Sequence, residues 1–436
     1  MSASLPSAVV FNCHYNGLAI IQELGRRGVP VHALDSERSV GTYSRFARYS
    51  FCPNPLTDEA GFIAALQDLG RAIGHRAVLL PTRDEWAVAI ARWKDSLSEH
   101  FIPCVAEREV VELLIDKRRF AEWAERGRYP VPRSWTADRL GEIPKEAFPI
   151  AAKPICYRTS SNDPTKRQVN EQFYHLRLTV LRTPGELARF ASDYAHMLEQ
   201  FLFQQYVEGL SDCMYTIGVY VGRSHEVLGM FTGRKVRGFP PDCGDCFVGE
   251  SCNVPVALKE LVRKACAELC YEGIAEFEFK RDAVTHEFKL IEINPRSWSW
   301  IGITPACGVS LPWIAYADLT GVESIEYTEN ANREGSVKWA RVMADLQHCL
   351  CTNRRAGFPR WHMSLWQWWK SLRAERLVQA EWAADDPLPA LVAVLRQLGA
   401  VVRSCGRRMW KAFRRPQEPD RRATHTSAPW SEKRCR

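Results

Sequence analysis

The chain has 436 residues, of which 46% are hydrophobic and 25% charged, a composition typical of a globular protein large enough for more than one domain. No apolar run approaches the ~20 residues that a membrane-spanning helix needs. The net charge of +7 is concentrated at one end: residues 401–436 hold 11 Lys and Arg against 3 Asp and Glu, and the rest of the chain holds 47 against 48. This neutral body, without an extended basic groove, disfavours a nucleic-acid partner.

The first residues and the cysteines predict a cytoplasmic protein. Met1–Pro6 lack the basic region of a secretion signal, so we expect the 15 cysteines to be reduced thiols. Cys243 and Cys246 have the spacing of metal ligands, but no second pair follows at zinc-site distance, which disfavours structural zinc.

The N-terminal segment alternates strands and helices. We predict strands at Ala8–Phe11, Val29–Leu34 and Ala77–Leu80, and helices at Gly17–Gly28, Asp58–Ile73 and Arg83–Ser98. This order predicts a parallel sheet. Asp35 ends the second strand where a ribose-binding acid would lie, but the preceding loop, N-C-H-Y-N-G, has one glycine where a dinucleotide site needs three, which disfavours a nicotinamide enzyme.

The middle of the chain contains lysines in unusual positions. Lys153 interrupts the apolar strand Phe148–Pro154, which is costly unless its charge is paired. Leu198–Gly209 predicts a strand leading to a turn, and Met214–Val221 with Glu226–Phe231 predicts a hairpin. Lys235 and Arg237 follow two residues apart, so we expect both on one strand face, aimed at the same cleft; solvated strand charges are the alternative.

The stretch from Tyr271 to Trp300 predicts a second hairpin, because both halves alternate apolar and polar residues around a turn at Asp282–Glu287. Glu276, Glu278 and Lys280 then share one face of the first strand, and Glu292, Asn294 and Arg296 one face of the second. Pairing the strands brings Glu278, Glu292 and Asn294 together. Three oxygen donors of this kind suit Mg²⁺, although an ordinary half-buried hairpin is the alternative.

These motifs resemble the ATP-grasp superfamily, in its carboxylate–amine/thiol ligase type with a carbamoyl-phosphate-synthase-like ATP-grasp domain. The match rests on F-E-F at 277–279, L-I-E-I-N-P-R at 290–296, F-P-I-A-A-K-P at 148–154, Q-Q-Y-V-E-G at 204–209 and L-L-P-x-x-D at 79–84. It covers residues 8–325 and departs from the family in a phosphate loop, Cys156–Lys166, without glycine and in Gln205 where a Glu is usual.

The resemblance implies ATP and Mg²⁺, or Mn²⁺, as cofactors. It implies that Glu278, Glu292 and Asn294 hold the metal and that Lys235, Arg237 and Arg296 act in catalysis, with Arg296 facing the reacting carboxylate. The residues it implies for ATP binding are Lys117, Lys153, Ser160, Ser161, Gln204, Gln205, Tyr206, Val207 and Asp212.

The implied fold class is α/β. A Rossmann-like pre-ATP-grasp domain at 1–110 precedes a two-lobed α+β ATP-grasp domain at 111–325, with lobes at 111–205 and 206–325. We expect a helical C-terminal extension at 335–415, because Trp361, Leu365, Trp368 and Leu372 recur at helical spacing and Asp385-Asp386-Pro387 reads as a helix start with an Asp N-cap. Residues 416–436 are expected to be disordered.

The resemblance implies a ligase that activates a small-molecule carboxylate as an acyl phosphate and joins it to an amine or another nucleophile. An ATP-grasp kinase and a non-catalytic nucleotide-binding module acting through the basic tail stay open as alternatives. In residues 388–415 an apolar run leads into basic residues mixed with Trp410 and Phe413, which predicts either peripheral contact with the inner membrane face or packing on the core. The oligomeric state is left open.

Overall fold

A computed structural model describes residues 5–155, 178–241, 244–352 and 361–399. The chain divides into two compact units, Met1–Val392 and Ala393–Arg436. In the second unit, residues 393–399 are described and are helical. Across these described ranges, no helix has the combination of length and apolar character needed to cross a bilayer. The three sheets of the described residues and the helices between Tyr15 and Ser371 belong to the first unit.

The N-terminal part is a five-stranded parallel sheet in the order β3-β2-β1-β4-β5, as the α/β prediction expected. Its strands are β1 (Ala8–Phe11), β2 (Val31–Asp35), β3 (Ala47–Phe51), β4 (Ala77–Leu80) and β5 (Phe101–Pro103). Its helices are α1 (Tyr15–Arg26), α2 (Glu59–Ile73), α3 (Asp84–Arg92) and α4 (Lys94–Leu97). The central strands β1 and β4 are wholly apolar and buried, as parallel strands covered on both faces must be.

Asp35 is part of this sheet's internal structure. Its carboxylate is fully buried and accepts hydrogen bonds from the Cys13 N–H at 2.7 Å and from the Ser39 hydroxyl. A ribose-binding acid must be able to reach a cofactor. Because Asp35 is buried and already hydrogen-bonded, it does not serve as the ribose-binding acid of a nicotinamide site.

A second, four-stranded antiparallel sheet forms the first lobe, in the order β6-β9-β7-β8. It follows α5 (Arg108–Ile115) and α6 (Lys117–Arg126) and consists of β6 (Ser134–Trp135), β7 (Ile150–Pro154), β8 (Thr179–Leu181) and β9 (Phe201–Gln205), with α7 (Pro184–Asp193) packed beside it. Trp135, Phe190, Phe201 and Phe203 build its core. Lys153 of β7 is not part of this core.

The second lobe is an eight-stranded sheet in the order β14-β13-β10-β11-β12-β16-β17, with β15 beside β11. Its strands are β10 (Met214–Val221), β11 (Val227–Phe239), β12 (Asp245–Ser251), β13 (Gly273–Arg281), β14 (Phe288–Asn294), β15 (Thr328–Glu329), β16 (Val337–Ala340) and β17 (Arg376–Gln379). Its helices are α8 (Val256–Glu268), α9 (Leu311–Thr320), α10 (Val342–Gln347) and α11 (Leu365–Ser371).

The expectation that residues 335–415 are helical is wrong in part, because β16 and β17 lie in this range and extend the sheet of the second lobe. In β16, Val337 and Trp339 are buried on alternate positions, a period of two that suits a strand. The predicted helical stripe is also shorter than expected: Trp361 precedes α11, and Leu365 is 59% exposed.

Asp386 has a different role from the predicted N-cap. Its buried carboxylate accepts hydrogen bonds from the Ser44 hydroxyl at 2.6 Å, the Arg45 N–H at 3.0 Å and the Gln22 amide at 3.0 Å. The neighbouring Asp385 pairs with Arg26 through two bonds of 2.8 Å. The chain at this point is therefore attached to α1 and to the segment before β3.

The expectation that Lys235 and Arg237 share a face is also wrong. A bulge lies between them, since Lys235 pairs with Gly249 and Arg237 with the adjacent Val248 of β12. Neighbouring residues of a strand point to opposite faces, so Arg237 turns away from Lys235. Its guanidinium instead makes two bonds with Asp345, at 2.9 and 2.7 Å, in a buried pair.

Removing the Asp345 charge should destabilise the protein strongly. Asp345 is 1% exposed and also accepts from the Trp368 indole N–H at 2.8 Å. Asp345→Asn leaves the buried Arg237 cation without its counter-charge, which should lower the free energy of unfolding by about 3–5 kcal/mol in urea denaturation. The matched control is Asp68→Asn, which breaks an exposed pair with Arg71 and should cost under about 1 kcal/mol. Equal losses in the two variants would contradict a structural role for the buried pair.

Candidate active site

The hairpin β13–β14 forms as predicted. The Asp282 N–H donates to the Glu287 carbonyl across the turn, and the register places Glu278 opposite Glu292 and Glu276 opposite Asn294. The apolar positions of β13, Phe277 and Phe279, face the main core, which is the hydrophobic cluster that β13 shares with β1, β4 and α3. The polar face of the hairpin is therefore free to line a cavity.

A cavity of about 250 Å³ lies over this face, between the two lobes. It is lined by most of the predicted site residues: Lys117, Lys153, Gln204, Gln205, Tyr206, Val207, Lys235, Glu278, Glu292, Asn294 and Arg296. Among the described residues, neither Arg237 nor Asp212 lines it, and Ser211 takes the place expected for Asp212. Ser160 and Ser161 lie outside the described residues. The lining also includes Glu276, Lys280, Met214, Cys246, Trp298 and Trp300, none of which was assigned a role with nucleotide or metal.

The two carboxylates Glu278 and Glu292 face each other across the strand pair. Burial raises the pKa of Glu278, and the Lys235 ammonium, 2.7 Å away, acts in the opposite direction. Burial also acts to raise the pKa of Glu292, but the ammonium of Lys117, a hydrogen bond with Glu278 and the Lys153 ammonium lower it overall. The pKa values of the pair thus move apart, as expected of like charges held together.

The donor set fits Mg²⁺. Two carboxylates and the Asn294 amide supply hard oxygen ligands, and Mg²⁺ commonly binds one or two carboxylates together with substrate phosphates. Within the described ranges, no three His, Cys, Asp or Glu side chains form a metal site by themselves.

Glu276 is a third carboxylate at this face, two residues before Glu278. It is buried and accepts hydrogen bonds from the Thr216 hydroxyl at 3.0 Å and from the Asn294 amide at 3.1 Å. Burial, with the Glu278 charge, raises the pKa of Glu276 to about 8. The period of two along β13 already indicated its position, because it shares the face of Glu278.

Lys153 faces the hairpin from the first lobe. Its ammonium donates to the Gln204 side-chain oxygen at 2.8 Å, and the Gln204 amide donates to the Ser134 hydroxyl at 3.1 Å. Burial lowers the pKa of Lys153 to about 8, and the nearby Lys117 and Lys280 charges act in the same direction while Glu292 opposes them. Gln204 therefore orients Lys153.

The segment after β9 carries the residues expected to meet a base. The Tyr206 N–H donates to the Pro149 carbonyl at 3.0 Å, and the Gln205 N–H donates to the Arg133 carbonyl at 2.8 Å. These two N–H groups already serve the fold. The Tyr206 carbonyl and the Val207 backbone are the remaining candidates for contact with a base.

Arg296 connects the cavity to the N-terminal sheet. Its Nε–H donates to Asp84, the first residue of α3, at 2.8 Å, and its other nitrogens donate to Asn294 and to the Ser297 carbonyl at 3.0 Å each. A guanidinium has five N–H donors, so two remain for a substrate carboxylate. Burial acts to lower the pKa of Arg296, but Asp84 raises it overall. Asp84 was present in the L-L-P-x-x-D motif, but its partner, Arg296, lies 212 residues away.

Trp298 and Trp300 line the cavity from within the core. The Trp298 ring lies where a side chain at Gly218 of β10 would be, and the Trp300 ring lies against Gly249 of β12. Both side chains are almost fully buried, and their indole N–H groups have no acceptor among the described residues. These tryptophans are rigid packing elements that also form one wall of the cavity.

Comparison with known proteins gives one relative among curated proteins and several similar solved structures. No family model matches the chain. D-aspartate ligase from Enterococcus faecium (strain Aus0004) is 26% identical over 233 residues, which are 50% of this chain and 53% of that protein. The chain thus spans about half the length of this relative.

Two solved structures illustrate the shared fold. The biotin carboxylase domain of Hydrogenobacter thermophilus 2-oxoglutarate carboxylase, in complex with MgADP, ADP and bicarbonate, is 17% identical; the match covers 76% of this chain and 73% of that one, with a TM-score of 0.56. L-amino acid ligase from Bacillus licheniformis is 14% identical, with 73% and 75% covered and a TM-score of 0.54. Together with the spaced motifs that line the cavity, these likenesses show that the chain has the ATP-grasp fold.

Proposed function

We propose that this protein is an ATP- and Mg²⁺-dependent ligase that joins a small-molecule carboxylate to an amine. The observation that carries the proposal is the single cavity face on which Glu278, Glu292 and Asn294 lie beside Arg296, with Lys153 opposite. Arg296 could bind a substrate carboxylate through two parallel hydrogen bonds, next to oxygen ligands that suit the metal of a metal-bound phosphate. The D-aspartate ligase and L-amino acid ligase names support an amino acid as one substrate.

The proposed reaction has two steps. The substrate carboxylate attacks the γ-phosphate of ATP, which releases ADP and leaves an acyl phosphate. The amine then attacks the acyl carbon, the C–O bond to phosphate breaks, and the amide forms as the nitrogen loses its proton. Arg296 would hold the carboxylate and Lys153 and Lys235 the phosphates. Mg²⁺ held by Glu278, Glu292 and Asn294 would neutralise the phosphate charge.

The hairpin carboxylates should be essential for turnover. We expect wild-type protein with Mg-ATP and pooled amino and carboxylic acids to release ADP and phosphate together, and to yield a hydroxamate when hydroxylamine traps the acyl phosphate. Glu292→Gln should fold normally and lose about 100-fold or more in ADP release, because a group that stabilises transferring phosphate is lost. Glu287→Gln, in the turn of the same hairpin where its carboxylate pairs with Lys289, is the matched control and should keep wild-type rates.

The outcomes separate the alternatives. ADP release without free phosphate or hydroxamate would favour a kinase. Nucleotide binding without any ADP release would favour the non-catalytic module. Wild-type turnover in Glu292→Gln would remove the metal assignment.

ATP affinity should depend on pH through Lys153. Because its pKa is lowered to about 8, Lys153 loses its charge as the pH rises from 7 to 9, and phosphates bind the charged form better. The Kd for ATP should therefore increase above pH 8, by about tenfold per pH unit at most. Lys153→Arg keeps a charged side chain and should reduce the dependence of the Kd on pH. The pH dependence left in this variant would come from Glu276, whose pKa is also about 8. Identical slopes in titration calorimetry would contradict the assignment.

A second proposal concerns the C-terminal residues 388–415 as a peripheral membrane contact. Leu388 and Leu391 are 48% and 55% exposed, and Leu395 and Leu398 are 59% and 55% exposed. Leu388 and Leu391 in the first unit, and Leu395 and Leu398 in the second, are each three residues apart, close to one helical turn, and the sequence beyond them is strongly basic. Exposed leucines followed by Lys and Arg are typical of segments that bind anionic membrane surfaces.

The protein should sediment with vesicles of anionic phospholipid at low salt and be released at high salt, since each basic residue near the surface contributes about 1 kcal/mol. Leu395→Ser/Leu398→Ser should weaken this binding, and vesicles of zwitterionic lipid are the control. If the full chain does not sediment with anionic vesicles at low salt, the tail is a solubilising end or packs on the protein, and the membrane proposal fails.

A further inference from the structure

Lys280 is a buried lysine at the cavity to which neither the motifs nor the proposed reaction assign a role. Its exposed fraction is 6%, and it lies on the same face of β13 as Glu276 and Glu278. Its neighbour Phe279 points into the core. Lys280 thus brings a positive charge to the wall of the cavity, beside the two glutamates.

The strand direction gives Lys280 a definite place along the cavity. β13 carries Glu276 near Arg296, then Glu278 in the metal-type donor set, and then Lys280. Residues two apart on a strand are separated by about 7 Å, so Lys280 is one such step beyond Glu278. Its cross-strand partner on β10 is Met214, which also lines the cavity.

Lys280 lies beside the segment that is expected to meet the base. The Lys280 ammonium lies 4.7 Å from the centre of the Tyr206 ring, directly after β9. This cation–π contact fixes the ammonium between the carboxylates Glu278 and Glu292 and the segment after β9. In a nucleotide with its terminal phosphates near Glu278 and Glu292 and its base at the segment after β9, the α-phosphate and the ribose would lie between these two places.

Besides Lys235, three lysines from the described parts of the two lobes line the cavity. Lys117 and Lys153 line it together with Lys280, and the charge of Lys280 is close enough to contribute to the lowered pKa of Lys153. Glu292 offsets part of the repulsion felt by Lys153, and an anionic ligand near Lys153 and Lys280 would offset more of it. An ammonium group donates hydrogen bonds and accepts none, so its ligand must be an acceptor.

We propose that Lys280 binds the α-phosphate of the nucleotide. This inference rests on the proposed function, because it requires an adenine nucleotide in the cavity. It adds a contact shared by nucleoside mono-, di- and triphosphates, whereas Lys235, paired with Glu278, would contact the transferring end.

The test compares adenosine, AMP and ADP in displacement titrations against a fluorescent ADP analogue. Lys280→Met should weaken AMP and ADP by about tenfold each and leave adenosine unchanged, because a charge-assisted hydrogen bond to phosphate is lost. Lys280→Arg, which keeps the cation, should restore AMP affinity to within about threefold of wild type. The matched control is Lys289→Met: Lys289 is directly opposite Lys280 on β14, pairs with Glu287 and is not among the described residues that line the cavity.

Each outcome decides the proposal. Unchanged AMP and ADP affinities in Lys280→Met overturn it. Equal losses for adenosine and AMP also overturn it, because Lys280 would then support the base site through Tyr206. If Lys280→Met does not fold, Lys280→Gln removes the charge with less change in polarity and is read in the same way. If wild-type protein binds no adenine nucleotide, the proposed function fails first; if it does and Lys280→Met binds AMP normally, the Lys280 assignment alone fails.

Discussion

The antiparallel pairing of β13 with β14 is the constraint on which the site depends. Its register sets Glu278 opposite Glu292, and a slip of one residue would turn one strand's acids into the core and its apolar residues into the cavity. Phe277 and Ile293, paired on the opposite face, belong to the main core, so the hydrophobic pattern itself holds the register. The position of the acids is therefore determined by the residues between them.

The buried charges of the cavity carry a stability cost. Three glutamates face several lysines and an arginine in a space where desolvation penalises each charge. Lys235 offsets part of this cost at Glu278 and Asp84 does so at Arg296, through contacts of 2.7 and 2.8 Å. The pKa values of Lys153 and Glu276, both about 8, show that pairing leaves some of the cost in place. Residual cost of this kind is typical of sites built to bind charged ligands.

The N-terminal sheet is structurally continuous with the site. Asp84 holds Arg296, Arg296 donates to Asn294, and Asn294 donates to Glu276, so one chain of hydrogen bonds runs from α3 to the acids of β13. The apolar contacts agree, because residues of β1 share a core cluster with Trp298 and its neighbours. The N-terminal sheet and both lobes belong to one compact unit, Met1–Val392.

The sequence by itself determined those features whose cause lies within a few residues. Alternation predicted the hairpin and its polar face, the strands Ala8–Phe11 and Ala77–Leu80 were predicted with their observed bounds, and Glu276 and Lys280 were placed on the correct face. The spaced motifs singled out residues between Lys117 and Arg296, and most of these residues line the cavity. Periods of two and 3.6 residues are local properties, so they can be read from the chain without its fold.

Tertiary structure decided the partners of individual charges. Arg237 meets Asp345 at a separation of 108 residues, Asp84 meets Arg296 at 212, and Ser44 meets Asp386 at 342. The bulge that turns Arg237 away from the cavity also depends on how β11 pairs with β12. Contacts between distant segments depend on how whole sheets pack. The face on which a side chain lies can be changed by one extra residue in its strand that is left unpaired with the neighbouring strand, so no local pattern contains this information.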